Sequence, residues 1–292
     1  MLNKLKSLAL NLMGRRATYR LGRAMYLHAR GDIDHDMTVN GEMLIQRAVL
    51  AAWKKASPKD ARLVIFDVGA NVGDWSSALC RQLKAHAING CVDLFAFEPV
   101  PATADTFRRN LTGNQPSLHI VELALSSSSG TAEIYVSTSN AGTNSMYDDS
   151  MSTEKKKITI CLTSATEFCV ARAINHVHLL KCDTEGHDME VIRGALPLLR
   201  EERISVLQFE YNHRWVFSRN FLRDVFLVAE SLPYKVAKLQ SDHLLVFKKW
   251  HPELDRFFHG NYVLIHHDAL PWFPAKAAYF DKFNTLSTTC SN

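Results

Sequence analysis

The sequence contains no CxxC pair, no internal repeat, no low-complexity linker and no apolar run near the roughly 20 residues needed to span a bilayer. It also has little net charge. Lys and Arg total 34 against 30 Asp and Glu, a formal +4 that is too small to single out a nucleic-acid partner. Six cysteines, Cys80, Cys91, Cys161, Cys169, Cys182 and Cys290, lie mostly inside apolar runs without paired spacing. That usage excludes a disulfide framework and fits reduced thiols in a cytoplasmic protein. The N-terminus lacks the pattern of a cleavable signal, which points the same way. What the chain does have is apolar mass: 47% hydrophobic residues over 292 positions, ample for one large α/β domain or two small ones.

The first segment, MLNKLKSLALNLMGRR, sets Leu2, Leu5, Leu8 and Leu12 near helical spacing, followed by Arg15, Arg16, Arg20 and Arg23. Such a pattern suits either a helix lying on a membrane surface or a helix packed on the core. The packed helix is the favoured expectation. A second helix is expected from Asn40 to Ala56, with Asn40 as cap and Leu44, Ala48 and Ala51 on one face, ending at Ser57-Pro58.

Beyond Ala61 the pattern alternates between short apolar strands and amphipathic helices. The strands are Leu63 to Asp67, Asp93 to Glu98, Leu118 to Leu125, Val177 to Cys182 and Ile204 to Glu210, with interiors apolar enough to be buried on both faces. The intervening helices open at Asp74, at Ala102 and after Gly186. Repeated βαβ units make a mostly parallel sheet with right-handed crossovers, and ligands of such sheets bind at the carboxyl ends of the strands. Two stretches, Thr131 to Thr138 and Lys156 to Leu162, read as an inserted β-hairpin around the polar loop SNAGTNSMYDDSMSTEK. A loop of that length tends to be either a functional lid or disordered. Tyr234 to Leu239, Leu244 to Phe247 and Tyr262 to His266 are expected to complete the sheet with an antiparallel pair. The expected organisation is an N-terminal helical extension, 1–57, followed by one domain, 58–292.

The strand end FDVGANVG turns into a helix through Gly69, Asn71 and Gly73, and glycine there lets the backbone approach a ligand closely. The next strand ends FAFEP, placing Glu98 at the adjacent carboxyl edge, where a carboxylate can accept both hydroxyls of a ribose. The pair points to a nucleoside-containing ligand. The spacing is Gly-x-Asn-x-Gly after Asp67, not GxGxxG, and no pyrophosphate loop is evident.

With these features in place, the sequence resembles the FkbM family of S-adenosylmethionine-dependent methyltransferases. The resemblance runs from about Val64 to Tyr211 through six blocks in the family's order: VIFDVGANVGDWS, FAFEPVPATADTFRRNL, VELALSSSSGTAEIYV, GTNSMY, LLKCDTEGHDMEVIRGA and VLQFEYN. GNYVLIH is similar to the family's closing strand. The family more often has glutamate where this chain has Asp188, and an aliphatic residue at Cys182. The resemblance implies a Rossmann-like class I methyltransferase fold, a mostly parallel seven-stranded sheet with helices on both faces. It also implies methyl transfer, most often to a hydroxyl oxygen of a sugar, lipid or polyhydroxylated natural product. Carried over by position, Asp67, Gly69, Asn71 and Gly73 hold the methionyl part of S-adenosylmethionine, Glu98 the ribose, and the stretch around Leu123 and Ala124 the adenine.

A neutral hydroxyl is a poor nucleophile, so a base or a metal is expected beside it. The strand ends CDTEGHD and QFEYNH bring Asp183, Glu185, His187, Glu210, Asn212 and His213 toward the cofactor mouth. Asp183, Glu185 and His187 are the candidate base set. Asp183, Glu210 and Asn212 are also hard oxygen donors of the kind Mg²⁺ accepts, so a divalent cation is an alternative. The GTNSMY loop is expected on the acceptor side, and Trp215, Phe217 and Phe221 either wall the acceptor pocket or simply pack. The acceptor expected is a glycan or small molecule rather than a nucleic acid, with peripheral membrane contact through the N-terminus left open. Two other readings compete: N-methylation of nucleic acid or protein, against which no (D/N)PP(Y/F)-like motif ends the fourth strand, and a non-catalytic Rossmann-like binding module.

Overall fold

The computed structural model describes residues 2–32, 36–56, 62–88, 90–112, 117–137, 144–148 and 155–290, with residues 2–12 and 290 described by backbone alone. Two helices, α1 (Leu2–Arg30) and α2 (Glu42–Ala56), come before β1 (Leu63–Val68). The chain then runs α3 (Asp74–Ala85), β2 (Val92–Phe97), α4 (Pro101–Asn110), β3 (Leu118–Val121) and the short β4 (Ala124–Leu125). An antiparallel pair follows, β5 (Gly130–Ser137) and β6 (Lys155–Thr163), and then α5 (Ala165–Ala171), β7 (Val177–Cys182), α6 (Asp188–Gly194), α7 (Leu196–Arg200) and β8 (Ile204–Tyr211). The last third holds α8 (Trp215–Ser218), α9 (Leu222–Glu230), β9 (Tyr234–Leu239), β10 (Leu244–Phe247), β11 (Gly260–His266), β12 (Ala275–Phe280) and β13 (Leu286–Cys290).

Strand alternation divides the core into two layers. Along β1, Leu63 and Ile65 face one side with Ile45, Val49 and Leu50 of α2 and Trp75, Leu79 and Leu83 of α3. Val64, Phe66 and Val68 face the other, against Phe168 of α5, Val191 and Ile192 of α6, and Leu198 and Leu199 of α7. Side chains of a strand point alternately to opposite faces, so an all-apolar strand such as LVIF must have helices on both. Phe66, Phe97 and Phe168 meet edge to face, with ring centroids 4.8 to 5.6 Å apart.

Strands β3, β2, β1, β7 and β8 are parallel, and β11 inserts antiparallel between β8 and β9. These seven fill the expected sheet, but the sheet is ten strands wide, because β10, β12 and β13 continue past β9. The extra edge pairs by backbone. In β12 only Ala278 is fully buried, so the short run AKAAYF carries too little apolar signal to announce a strand. Leu118 to Leu125 is likewise not one strand: β3 stays in the large sheet, while Ala124 and Leu125 pair with β6 in a separate three-stranded sheet. The helix expected after Gly186 divides into α6 and α7, with Pro197 in the first turn of the second, where its missing N–H costs nothing.

The expectation of a core-packed first helix is overturned for its described side chains. Between Met13 and Ala29 all are exposed except the half-buried Thr18 and Leu27. The helix joins the body through its last turn, where the Tyr26 hydroxyl donates to Glu253 at 2.6 Å and Arg30 pairs with Asp32 at 2.7 Å. A Leu21 or Met25 side chain has no complementary surface in this fold, and that is a tertiary property the helical pattern does not encode. Among the described residues, no helix is long and apolar enough to cross a membrane.

Candidate active site

At the carboxyl end of β1 the chain turns through Gly69 at φ 75° and Asn71 at φ 50°. Gly69 is required by space as well as by conformation, since a Cβ there would lie 1.9 Å from the carbonyl oxygen of Asp183 on the neighbouring strand end. Gly73, at φ 91°, caps α3 and lies against the Phe107 ring of α4. This contact seats the helix on the sheet.

Glu98 holds the turn in place. Its carboxylate accepts the Asn71 N–H at 3.0 Å on one oxygen and the Val100 N–H at 3.0 Å on the other. It is only 6% exposed, and burial outweighs these two bonds, raising its pKa to about 7. The Asn71 side-chain oxygen is buried without a hydrogen-bond partner.

Asp183, Thr184, Glu185 and His187 leave the end of β7 across from this turn. An open cavity, about 710 Å³ with the solvent at its mouth included, lies between them, lined also by Gly69, Asn71, Glu98, Ala124, Leu125, Ile134, Asn144 and Met146. Behind the cavity, Lys181 is buried, with its ammonium 3.3 Å from Asp67 and 3.5 Å from Asp183. Burial opposes its charge, but Asp67, Asp183 and Glu42 together overcome that and raise its pKa. Asp67 is fully buried, accepts from the Ser76 hydroxyl at 2.7 Å and does not reach the cavity.

Glu185 stands at φ 54°, with Arg214 at 3.1 Å. Burial, helped by the nearby Asp183 and Glu210, pushes its carboxyl up to about 9. His187 is buried and neutral: desolvation lowers its pKa to about 4. One ring nitrogen meets Ser126 Oγ at 3.0 Å and the other the Tyr147 hydroxyl at 3.1 Å. Ser145 donates to the Glu185 carbonyl at 2.9 Å, fastening the 144–147 segment to the β7 end.

Of the residues singled out in the sequence, Gly69, Asn71, Glu98, Ala124, Asp183, Glu185 and His187 line this cavity, whereas Asp67, Gly73 and Leu123 do not. Neither do Glu210, Asn212 and His213. Glu210 is engaged by His259 at 2.5 Å and by the Asn212 amide at 2.5 Å, and burial raises its pKa. Trp215 is core, donating its ring N–H to the Glu210 carbonyl, and Phe217 and Phe221 are partly exposed away from the cavity. Gly142 and Thr143 of the expected lid lie outside the described residues, while Asn144 and Met146 line the cavity.

Three participants went unnoticed in the sequence. Ser126 and Tyr147 fall inside family-like blocks, but their pairing with His187, 61 and 40 positions away, carries no local signal. Lys181 did carry one: a charge inside the apolar strand VHLLKC must find a counter-charge.

The model of the FkbM methyltransferase domain matches residues 67–236. This chain belongs to the FkbM methyltransferase family. It is 30% identical over 145 residues to the hexuronic acid methyltransferase AglP of Haloferax volcanii, a match spanning 50% of this chain and 55% of that protein. The chain thus matches only about half the length of this relative. Among solved structures, the DszA carbon methyltransferase aligns over 77% of this chain and 53% of its own at 12% identity and a TM-score of 0.43. The precorrin-6y C5,15-methyltransferase of Geobacter metallireducens GS-15 aligns over 75% and 87%, at 12% identity and a TM-score of 0.37.

The cavity suits the family's methyl donor. It offers backbone at Gly69 along its lining, an acceptor oxygen on Asn71 with no internal donor, a buried carboxylate on Glu98 and an apolar wall at Ala124 and Leu125.

Proposed function

We propose that this chain transfers the methyl group of S-adenosylmethionine to a hydroxyl oxygen of a saccharide, within a domain spanning 58–292 that follows a helical extension, 1–57. The observation that carries this reading is the cavity at the ends of β1, β2 and β7. It sets Gly69, Asn71 and Glu98 on one side and the Asp183 to His187 segment on the other. Support for a sugar acceptor comes from the hexuronic acid methyltransferase that the chain resembles over half its length.

Asn71 and the Gly69 backbone would hold the methionyl end, Glu98 the ribose hydroxyls, and Ala124 and Leu125 the adenine face. Asp67 and Gly73 act from behind, by fixing Lys181 and α3. When bound, S-adenosylmethionine supplies an electrophilic methyl on a sulfonium that is already a good leaving group. The protein's task is then to orient one hydroxyl and take its proton.

Asp183 is the proton acceptor in this reading. Its side chain is 37% exposed at the cavity, and the Lys181 ammonium 3.5 Å away holds it in place from behind. Glu185, protonated near neutrality, donates a hydrogen bond to an acceptor oxygen rather than removing a proton. His187, neutral and bonded at both nitrogens, positions the 144–147 segment. Of the three oxygen donors considered for a divalent cation, Asp183 lines the cavity, whereas Glu210 and Asn212 bond to each other away from it.

The test uses trideuteromethyl-labelled S-adenosylmethionine with uronate-containing saccharides, neutral saccharides, RNA and protein as acceptors. Label on a saccharide hydroxyl, lost by at least about a hundredfold in Asp183→Asn with cofactor binding retained, is the expected result. Label confined to nitrogen of RNA or protein would overturn it.

A further inference from the structure

The first thirty residues hold seven Lys and Arg (Lys4, Lys6, Arg15, Arg16, Arg20, Arg23 and Arg30) and no Asp or Glu. Removing those seven from the chain's 34 basic residues leaves 27 against its 30 acids, so the whole positive excess lies on α1. The charge is arranged by face. Ala17, Leu21, Ala24 and Met25 recur at helical spacing on one side, and Arg16, Arg20 and Arg23 form an adjacent stripe. Leu21 is 48% and Met25 63% exposed, so the body covers neither. Gly14, at φ 71° and ψ 155°, bends the chain between the leucine-rich first segment and this arginine-bearing one.

The root of the helix fixes where this surface lies. Tyr26 contacts Glu253 and Phe258, and Phe258 lies two residues before β11, whose first residue, Gly260, pairs with Tyr211 at the carboxyl end of β8. Lys238, near the carboxyl end of β9, pairs with Asp32 just after the helix. The helix is therefore rooted along the same sheet edge as the cavity.

We propose that α1 docks on an anionic lipid bilayer surface, apolar face into the headgroup boundary and arginines on lipid phosphates, holding the cavity edge toward the membrane. An apolar stripe flanked by Arg, on a helix too polar to span, suits an interfacial position, where long basic side chains reach back to the headgroups. A second copy of this chain suits it poorly, because apposing two such helices would bring twelve cations together, the paired Arg30 of each aside, with no acid on either helix. The orientation of the cavity extends the saccharide reading to a membrane-borne acceptor and rests on that reading, whereas the docking itself does not.

The test is flotation of the full-length chain with vesicles of phosphatidylcholine alone and with vesicles doped with phosphatidylglycerol, at low and high salt. Binding to the anionic vesicles only, weakened by salt, is expected. It should fall roughly tenfold or more both in the triple variant Arg16→Glu, Arg20→Glu, Arg23→Glu and in the double variant Leu21→Ser, Met25→Ser. Unchanged Tm and unchanged S-adenosylmethionine binding in both variants would show that the fold is intact. Equal recovery with neutral and anionic vesicles would overturn the proposal. So would an absence of vesicle binding accompanied by RNA binding, or by a concentration-dependent dimer that the Leu21→Ser, Met25→Ser variant abolishes. If docking holds while no methyl transfer is found, the saccharide reading fails and the docking stands.

Discussion

Replacing Glu98 with Gln tests the cofactor side of the cavity through two independent readouts. The carboxylate is 6% exposed, accepts two backbone N–H groups and titrates at about 7 because burial dominates. Ribose hydroxyls donate best to the ionised form. That form rises from roughly 9% at pH 6 to roughly 91% at pH 8, so affinity for S-adenosylmethionine should increase about tenfold, or about 1.4 kcal/mol. Glu98→Gln cannot ionise, and its NH₂ must face one of the two N–H groups now accepted by the carboxylate. The conflict costs about 1 to 3 kcal/mol. Isothermal titration calorimetry from pH 6 to 8 should therefore show a variant that binds roughly ten- to a hundredfold more weakly at pH 8 and lacks the wild-type slope. Linkage gives the second readout. The folded-state pKa lies above the ordinary glutamate value of about 4.5, so the empty wild-type protein should lose stability as pH rises from about 4.5 to 7, by on the order of 3 kcal/mol. Glu98→Gln should lose that dependence. Matching affinity and matching pH slope in wild type and variant would refute the ribose role of Glu98.

Gly69→Ala puts a Cβ onto the Asp183 carbonyl in a left-handed conformation and should cost about 2 kcal/mol or more, seen as a drop of roughly 4 °C or more in Tm. An unchanged Tm would show that the β1 and β7 ends are not in contact. Lys181→Met leaves Asp67 buried beside an apolar side chain and should destabilise by about 3 to 5 kcal/mol, whereas the double variant Lys181→Met, Asp67→Asn recovers part of that loss. No recovery in a thermal melt would exclude the ion pair. His187, held near 4 by burial, stays neutral above about pH 5, so its contribution to stability falls as pH drops from about 6.5 toward 4. Its ring proton signals in NMR should not titrate between about pH 6 and 8, and a midpoint near 6.5 would contradict the buried hydrogen-bonded placement.

The sequence made the alternation of strands and helices legible because strands such as LVIF and LFAF are buried on both faces and leave unbroken apolar runs. The glycine turn, Glu98 and the acid-rich end of β7 were legible because each belongs to a local motif. What escaped depended on partners far along the chain. Asp67 reads as a cavity acid until Lys181 and Ser76 are seen to enclose it. Glu210 reads as a free ligand until His259, 49 positions away, is seen to engage it. The edge strands β12 and β13 are held by backbone pairing, which side-chain pattern scarcely reports. The exposure of α1 was hidden because an amphipathic face says that something covers a helix and not what covers it.

The central claim is that the cavity between the β1 turn and the β7 end is an S-adenosylmethionine site. Its most direct test is calorimetric titration of the full chain with S-adenosylmethionine, S-adenosylhomocysteine and NAD. Saturable one-to-one binding of the two adenosyl ligands, no binding of NAD and marked weakening by Glu98→Gln are expected. No heat from either adenosyl ligand, or binding indifferent to Glu98→Gln, would contradict it.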